Sequence, residues 1–413
     1  MSGKKAGGQA RHEGNGLKMM QEPDVIKEHM PSGCERCAEY WVCQEVAKRG
    51  EVRYEIDIEI KPKVTGHKRL MIECPRTKKA MAGEFPLGIT GTVQYGVNLE
   101  TLAVSLNTVG MMSIDRTHEI LSDVFGVPIS TGTIIEMVKN CAEAVKETVS
   151  AIKAEIIEAP LAHFDETGSR VDGKTTWAHV ASTAGLTYIT MQEKRGQEGM
   201  DKAGILPNFK GTGIHDCYVS YFGYDEMRHG LCCAHILREL NGVTENYRQE
   251  WADEMVDLLI YMKTRKEFLI QQGQYEASKD DLEMCSKCYD EIIVQAKALN
   301  PVRENETNKK GRPKRGKVGS LVDRLALRKD QWLLFFTDFS VPFDNNQAER
   351  DFRFFKVKQK VSGCFRTSDG AANFSAIMSF ISTARKCGLS VFSAIKDVLL
   401  GNSFYLSSPA TGD

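Results

Sequence analysis

Hydrophobic and polar positions follow three regimes along the chain. Around residues 52–64 the segment VRYEIDIEIKPKV alternates apolar and charged positions, the period of two that a half-buried strand or hairpin requires. From Phe85 to about Glu158 the spacing turns helical: SIDRTHEILSDVF and STGTIIEMVKNCAEAVKETVSAIKAEII each set a serine ahead of apolar residues three and four apart, with the break GVPIS between them. The pattern predicts a helix, a short turn and one long helix ended by Pro160. Two readings of this pair stay open. A helix-turn-helix presents Ser130, Thr131 and Thr133, at the head of its second helix, to a DNA groove and backbone. A plain helical hairpin packs in a bundle without DNA.

Beyond Pro160 the period returns to that of strands. LAHFDETGSR, KTTWAHVAST and LTYITMQEKR are rich in Thr, Val, Tyr, Trp and Ile and are separated by the turns VDGK and AGL, which predicts a three-stranded meander. A helical stretch near GMDKAGIL, a strand GTGIHDCYVS, a further strand HGLCCAH and the helix ILRELNGV follow. Three antiparallel strands, then helix, strand, helix, strand, is the order of a ribonuclease H-like sheet. From about Glu239 to Asp338 the pattern is mainly helical, an insertion. The expected fold class is therefore a multidomain α+β and α/β protein, a ribonuclease H-like mixed sheet with a helical insertion, preceded by a helical helix-turn-helix region and a small zinc-ribbon-like β unit. The expected boundaries are a basic linker at 1–33, the β unit at 34–80, the helical DNA-binding region at 81–158, the core at 159–238 and 338–395, the insertion at 239–337 and a tail at 396–413.

Composition narrows the setting. The 54 Lys and Arg against 55 Asp and Glu leave a formal net charge of -1, so any nucleic-acid signal has to be local. Two stretches carry one: the Gly-rich opening with Lys4, Lys5, Arg11 and Lys18, and RENETNKKGRPKRGK between helical segments, each read either as a solvated loop or as a DNA-backbone contact. No apolar run approaches the roughly 20 residues of a membrane span and no secretory signal opens the chain, so bacterial cytoplasm, in association with the nucleoid, is the expected location. Cys34-x-x-Cys37 is half of a zinc site. Cys43, His67 and Cys74 are the nearby residues that can complete it, with Cys74 the preferred third ligand of one structural Zn²⁺. Cys285-x-x-Cys288 lies in a strongly helical pattern and reads as packing.

Three acids carry the candidate chemistry. Asp165 in FDETG falls at the predicted end of the first strand, and Asp216 in GTGIHDCY ends the fourth, which this strand order makes its neighbour in the sheet. Glu349 heads the helix of VPFDNNQAERDFRFFKVKQKV. Its ordinary explanation is a capping box with Asn346 three residues earlier. Against that, Arg353, Lys356 and Lys360 lie four, seven and eleven residues beyond it on the same face, while Phe354, Val357 and Val361 form the face expected to pack on the sheet. Three carboxylates from separate segments suit two Mg²⁺ or Mn²⁺ ions about 4 Å apart, which activate an attacking oxygen and stabilise a leaving one in phosphoryl transfer.

Taken together, FDET, HDCYVSYF, CCAHILREL and the block PFDNNQAERDFRFFKVKQKVSGCFRTSDGAANFSAIMSFISTARKCGLSVF resemble the transposases of the insertion sequence 66 family. The opening GGQARHEG, the Cys-x-x-Cys segment and RTHEILSDVFGVPIS are similar to that family's linker, zinc-binding and helical DNA-binding parts. The resemblance implies that Asp165, Asp216 and Glu349 form a DDE triad on a ribonuclease H-like core. It implies that Asn345, Asn346 and Arg350 of the Asn-Asn-x-x-Glu-Arg motif lie at DNA, with Arg350 near phosphate, and that Cys233 and His235 are core or active-site edge residues. The expected partners are terminal inverted repeats and target DNA, further copies of the chain on DNA, and accessory proteins of the same element. The expected activity is metal-dependent strand cleavage and strand transfer. The alternative is an inactive DNA-binding descendant, a repressor or relic, because the family's N-terminal coiled-coil-like helix is expected to be missing here.

Overall fold

The computed structural model describes residues 22–27, 29–30, 32–42, 53–58, 60–302 and 315–402. The lead-in, Cys43 and most of the basic stretch at 303–317 lie outside the described residues. The chain divides into two compact units, residues 1–61 and 62–413. Among its described residues the first has a short turn of helix, Cys34–Arg36, and helical residues at 40–42.

The second unit is built on a five-stranded mixed sheet. Its strands are β3 (Leu161–Val171), β4 (Lys174–Ser182), β5 (Thr187–Gln192), β6 (Thr212–His215) and β7 (Arg228–Leu231), in the spatial order β5-β4-β3-β6-β7. A separate small hairpin, β1 (Met71–Glu73) with β2 (Ala80–Ala82), precedes it. Strands β3 to β5 are the antiparallel meander that the turn residues announce. Val171 pairs with Lys174 across Asp172 and Gly173, whose φ angles of 48° and 71° are the left-handed pair of a two-residue hairpin. β6 and β7 run parallel to β3, which places the first strand of the sheet beside the fourth.

Thirteen described helices dress the sheet: α1 (Val97–Thr108), α2 (Ile114–Asp123), α3 (Thr131–Ala144), α4 (Lys146–Ile157), α5 (Gln197–Ala203), α6 (Cys233–Tyr247), α7 (Glu250–Gln271), α8 (Lys279–Leu299), α9 (Gly316–Leu327), α10 (Lys329–Thr337), α11 (Asn346–Ser362), α12 (Ser368–Lys386) and α13 (Val391–Leu399). Because side chains alternate along a strand, β3 and β4 feed two different cores. Phe164 and Ala181 join Ile152, Ile156, Met200 and Phe209 on one face. Ala178 and Val180 join Ala348, Phe352, Phe355, Phe374 and Ile381 on the other, under α11 and α12. The insertion α7 to α10 keeps a core of its own around Trp251, Tyr289, Trp332 and Phe335 that reaches Ile214 and Leu231 of the sheet. At the exposed edge of β5, the amides of Thr187 and Ile189 donate to Thr383 Oγ1 and Ser379 Oγ of α12, so a helix covers the edge.

Four expectations need correction. The alternating segment at 52–64 forms no strand among its described residues: Tyr54, Ile56, Ile58 and Val64 are all exposed, and alternation stabilises a strand only when one face is covered. The hairpin sits further on, at 71–82. The long helix is two, α3 and α4, separated at Val145. Asp165 lies inside β3 rather than at its end, because the β3–β4 ladder runs on to Val171; only the ladder with β6 stops short, at His163 and Ile214. Finally, α11 packs through Ala348, Phe352 and Phe355, while Val357 and Val361 stay exposed. With Phe354 and Phe355 adjacent, periodicity alone did not decide which ring turned inward.

Candidate active site

Alternation along β3 sends the consecutive acids Asp165 and Glu166 to opposite faces. Asp165 shares the face of its partner Val180, beneath α11, with its Oδ1 accepting the Glu166 amide at 2.8 Å. Continuing the parallel register past His163 and Ile214 brings Asp216 level with Asp165. Asp216 follows directly on β6, and its Oδ1 accepts the Tyr218 amide at 2.9 Å, which starts the turn after the strand. Burial raises the Asp165 carboxyl to about 7, helped by the negative charges of Glu166, Asp216 and Glu349. The three expected acids are thus near enough to feel one another.

Glu349 reaches this site from the first turn of α11. The capping box is absent: Asn346 is the first helical residue, Asp344 Oδ1 accepts its amide at 3.0 Å, and the Asn345 side chain makes no cap bond. Glu349 Oε1 is buried without a hydrogen-bond partner. His235 Nε2 and Arg238 Nη2, from α6, each lie 3.6 Å away from it. His235 is oriented by its contact with the Cys232 sulfur, which also accepts the Asn345 amide at 3.1 Å, so α6 and the start of α11 are tied together.

Asn345, expected at DNA, is instead 2% exposed. Its Oδ1 accepts from His163 Nδ1 and its Nδ2 donates to Phe164 O, each at 2.8 Å, which clamps the head of α11 to β3 two residues before Asp165. Both ends of the amide are used inside the protein, so nothing remains for phosphate. Arg350, Arg353, Lys356 and Lys360 are exposed along α11, and Asn346 is half-buried. At the far end of the helix Lys358 is buried and donates to Asn107 O and Met112 O at the end of α1. Ser130 caps α3, accepting from the Thr133 amide at 3.1 Å, with Ser130 and Thr131 exposed and Thr133 half-buried.

Sequence reasoning passed over the groups around Glu166. Its side chain is 1% exposed; Oε1 pairs with Arg195 at 2.8 Å and Oε2 accepts from Tyr221 at 2.6 Å. Burial also raises its carboxyl above the ordinary value. The doubled acid of FDET was the available signal, since two consecutive acids on one strand have to face both ways. His215 was passed over too. Fully buried, stacked on Tyr221 and 2.9 Å from His229 Nδ1, it is pushed down to about 3 by burial and is a neutral support for the strand that ends at Asp216.

As to metals, no three His, Cys, Asp or Glu side chains close around one point among the described residues. The acid site nonetheless has the donor chemistry of a hard cation: an Asp165 carboxyl raised by burial and by neighbouring acids, and a buried Glu349 oxygen with no hydrogen-bond partner. The cysteines differ. Cys34 and Cys37 stand in the first unit and Cys74 in the second, all three as free thiols, and the described residues assemble no four-ligand set. No helix among the described residues is long and apolar enough to cross a membrane.

Comparison with known proteins bears on the same region. The family described as "Transposase IS66 family" matches residues 92–373, from just ahead of α1 to the second turn of α12. The uncharacterized protein y4jO of Sinorhizobium fredii is 33% identical over 82 residues, 20% of this chain and 26% of that protein. The chain therefore spans about a quarter of the length of that curated relative.

Proposed function

We propose, from the premise that this chain belongs to the IS66 family of transposases, that it cuts and joins DNA strands with Asp165, Asp216 and Glu349 as the cation-binding acids. The sheet order β5-β4-β3-β6-β7, with its antiparallel meander and two parallel strands, is that of a ribonuclease H-like core, and the insertion α7 to α10 separates the second acid from the third. The observation that supports the reading is the strand register, which brings Asp216 at the end of β6 level with Asp165 on β3, together with an Asp165 carboxyl raised to about 7 by burial and by the charges of Glu166, Asp216 and Glu349. A carboxyl raised by burial and by specific neighbouring charges marks a functional-site candidate.

Mg²⁺ or Mn²⁺, held by Asp165, Asp216 and Glu349, supplies Lewis acidity at the scissile phosphate and activates the attacking water or 3′-hydroxyl. The chain's own groups do the rest. Arg350, Arg353, Lys356 and Lys360 line the exposed length of α11 and neutralise backbone phosphate on the approach to Glu349. Arg238, 62% exposed and 3.6 Å from Glu349, is placed to meet a phosphate at the site itself. The head of α3, where Ser130 caps the Thr133 amide and Ser130 and Thr131 are exposed, offers the positive end of a helix to a second stretch of backbone. Asn345 and Lys358 anchor α11 at both ends, so that Glu349 is carried on a fixed element.

A strand-transfer assay with terminal-repeat DNA and Mn²⁺ tests this. Asp165→Asn, Asp216→Asn and Glu349→Gln should each lower joining by more than the roughly 10–100-fold that outer-shell changes cost, with DNA binding retained. Joining that persists in the three variants would overturn the acid assignment. Binding without joining by the unmodified chain would favour the inactive, DNA-binding descendant.

A further inference from the structure

The backbone ladder that ties β3 to β6 ends at His163 and Ile214, before it reaches the acids. Past that point no interstrand hydrogen bond fixes the distance between Asp165 and Asp216, and two like charges there push apart. Some other tie has to span the gap. Two side chains reach both sides of it: Tyr221, which donates to Glu166 and stacks on His215, and Arg195. Arg195 lies in the turn between β5 and α5, and its Nε and Nη2 are each 2.8 Å from Oε1 of Glu166, the residue joined to Asp165. The same guanidinium sits 4.1 Å from the centre of the Tyr218 ring, and Tyr218 is the residue whose amide binds Asp216. The Trp177 ring lies 5.1 Å away on β4.

The turn that carries Arg195 is itself held. His179 Nε2 donates to Lys194 O at 3.1 Å. A Cβ on Gly199 would fall 1.9 Å from that carbonyl, so α5 begins in close contact with the turn. Tyr221 completes Glu166 by donating to its second oxygen. We propose that Arg195 is a positioning residue: by gripping Glu166 and stacking on Tyr218 it sets the separation of Asp165 and Asp216, and with it the divalent-cation affinity of the pair. This rests on Asp165 and Asp216 being the cation-binding acids. The task suits arginine, because a planar fork bonds a carboxylate along its edge and stacks an aromatic ring on its face at once, whereas a lysine ammonium is a point charge without that fixed two-sided geometry.

The test is a Mn²⁺ titration of the full chain, read from the free-ion paramagnetic resonance signal, alongside the half-saturating Mn²⁺ for joining and the melting temperature. Arg195→Lys, which keeps the charge, should weaken Mn²⁺ binding about 10-fold, within the range for outer-shell partners, with joining restored at saturating metal. Tyr218→Leu, which removes the stacked ring and leaves the amide, should shift binding in the same direction. Wild-type affinity in Arg195→Lys together with tighter binding in Arg195→Gln would overturn the proposal, showing a counter-charge only. Unchanged affinity in both with a lowered melting temperature would overturn it in favour of a purely structural pair. Asp165→Asn in the same titration separates the premise: if it leaves Mn²⁺ binding intact, the acid site falls and this proposal with it. If it weakens binding while Arg195→Lys does not, only the role of Arg195 falls.

Discussion

The two faces of strand β3 treat neighbouring acids in opposite ways. On one face Glu166 is enclosed and complete, with Arg195 on one oxygen and Tyr221 on the other. On the other, Asp165 is enclosed and incomplete: among the described residues its carboxylate takes one hydrogen bond, from the next amide, and the charges that raise it are those of Glu166, Asp216 and Glu349. That second face is well paired at its margins, where Asp351 Oδ2 gathers Lys386, Ser182 and Thr187 and where Asn345 and Lys358 pin α11. Paired margins around a carboxyl that burial and neighbouring acids hold above its ordinary value are the pattern that the proposed cation site would require.

The contrast is broken most directly by exchanging the fates of the two acids. Glu166→Ala should cost about 3–5 kcal/mol in urea unfolding, because it strands the Arg195 guanidinium and the Tyr221 hydroxyl. Asp165→Asn should leave stability unchanged or raise it, since it removes a crowded charge, while lowering joining. Equal losses in the two variants would show that both faces are merely structural. A smaller effect sharpens the role of the margins: Asn345→Leu leaves His163 Nδ1 and Phe164 O without their partner and should cost about 1–3 kcal/mol for each group that water cannot reach, by the same urea measurement. An Asn345→Leu chain of wild-type stability but weakened DNA affinity would return Asn345 to the interface.

The smallest effect is a slope. Burial brings the Lys358 ammonium down from 10.5 to about 8, so below pH 8 folded and unfolded chains both carry the proton and its burial cost is constant. Between about pH 8 and 10.5 the unfolded chain keeps a proton that the folded chain has lost, so unfolding free energy rises with pH, by at most about 1.4 kcal/mol per pH unit. Lys358→Met should flatten that rise. An identical slope in the variant would mean that the anchor of α11 on α1 is solvated.

Much of this was legible in residue order. The turn Asp172-Gly173 and the β-rich segments around it specify the meander, and Ser113 and Ser130 mark helix starts that the structure keeps. The adjacency of Asp165 and Asp216 follows once the strand order is granted. The exposed basic ridge of α11 was visible at a spacing of four, seven and eleven. What failed was local inference without a partner. The alternating segment near Ile56 has the period of a strand, yet it gains nothing from that period when neither face is covered. The motif residue Asn345 reads as a polar contact for DNA in sequence and turns out to be an internal clamp, because a buried amide has to spend both its ends on the protein.

By itself, then, the sequence determined what alternation, turns and caps control: the meander and the helix starts. These are properties of contacts a few residues apart, which side-chain geometry specifies directly. Tertiary structure alone decided that Phe355 rather than Phe354 faces the core, that Glu166 is silenced by Arg195 from a turn 29 residues away, and that Glu349 Oε1 is buried without a hydrogen bond beside His235 and Arg238. Each of those depends on which distant group arrives at a given place, and desolvation, which makes a missing partner costly, exists only once the chain has closed around it.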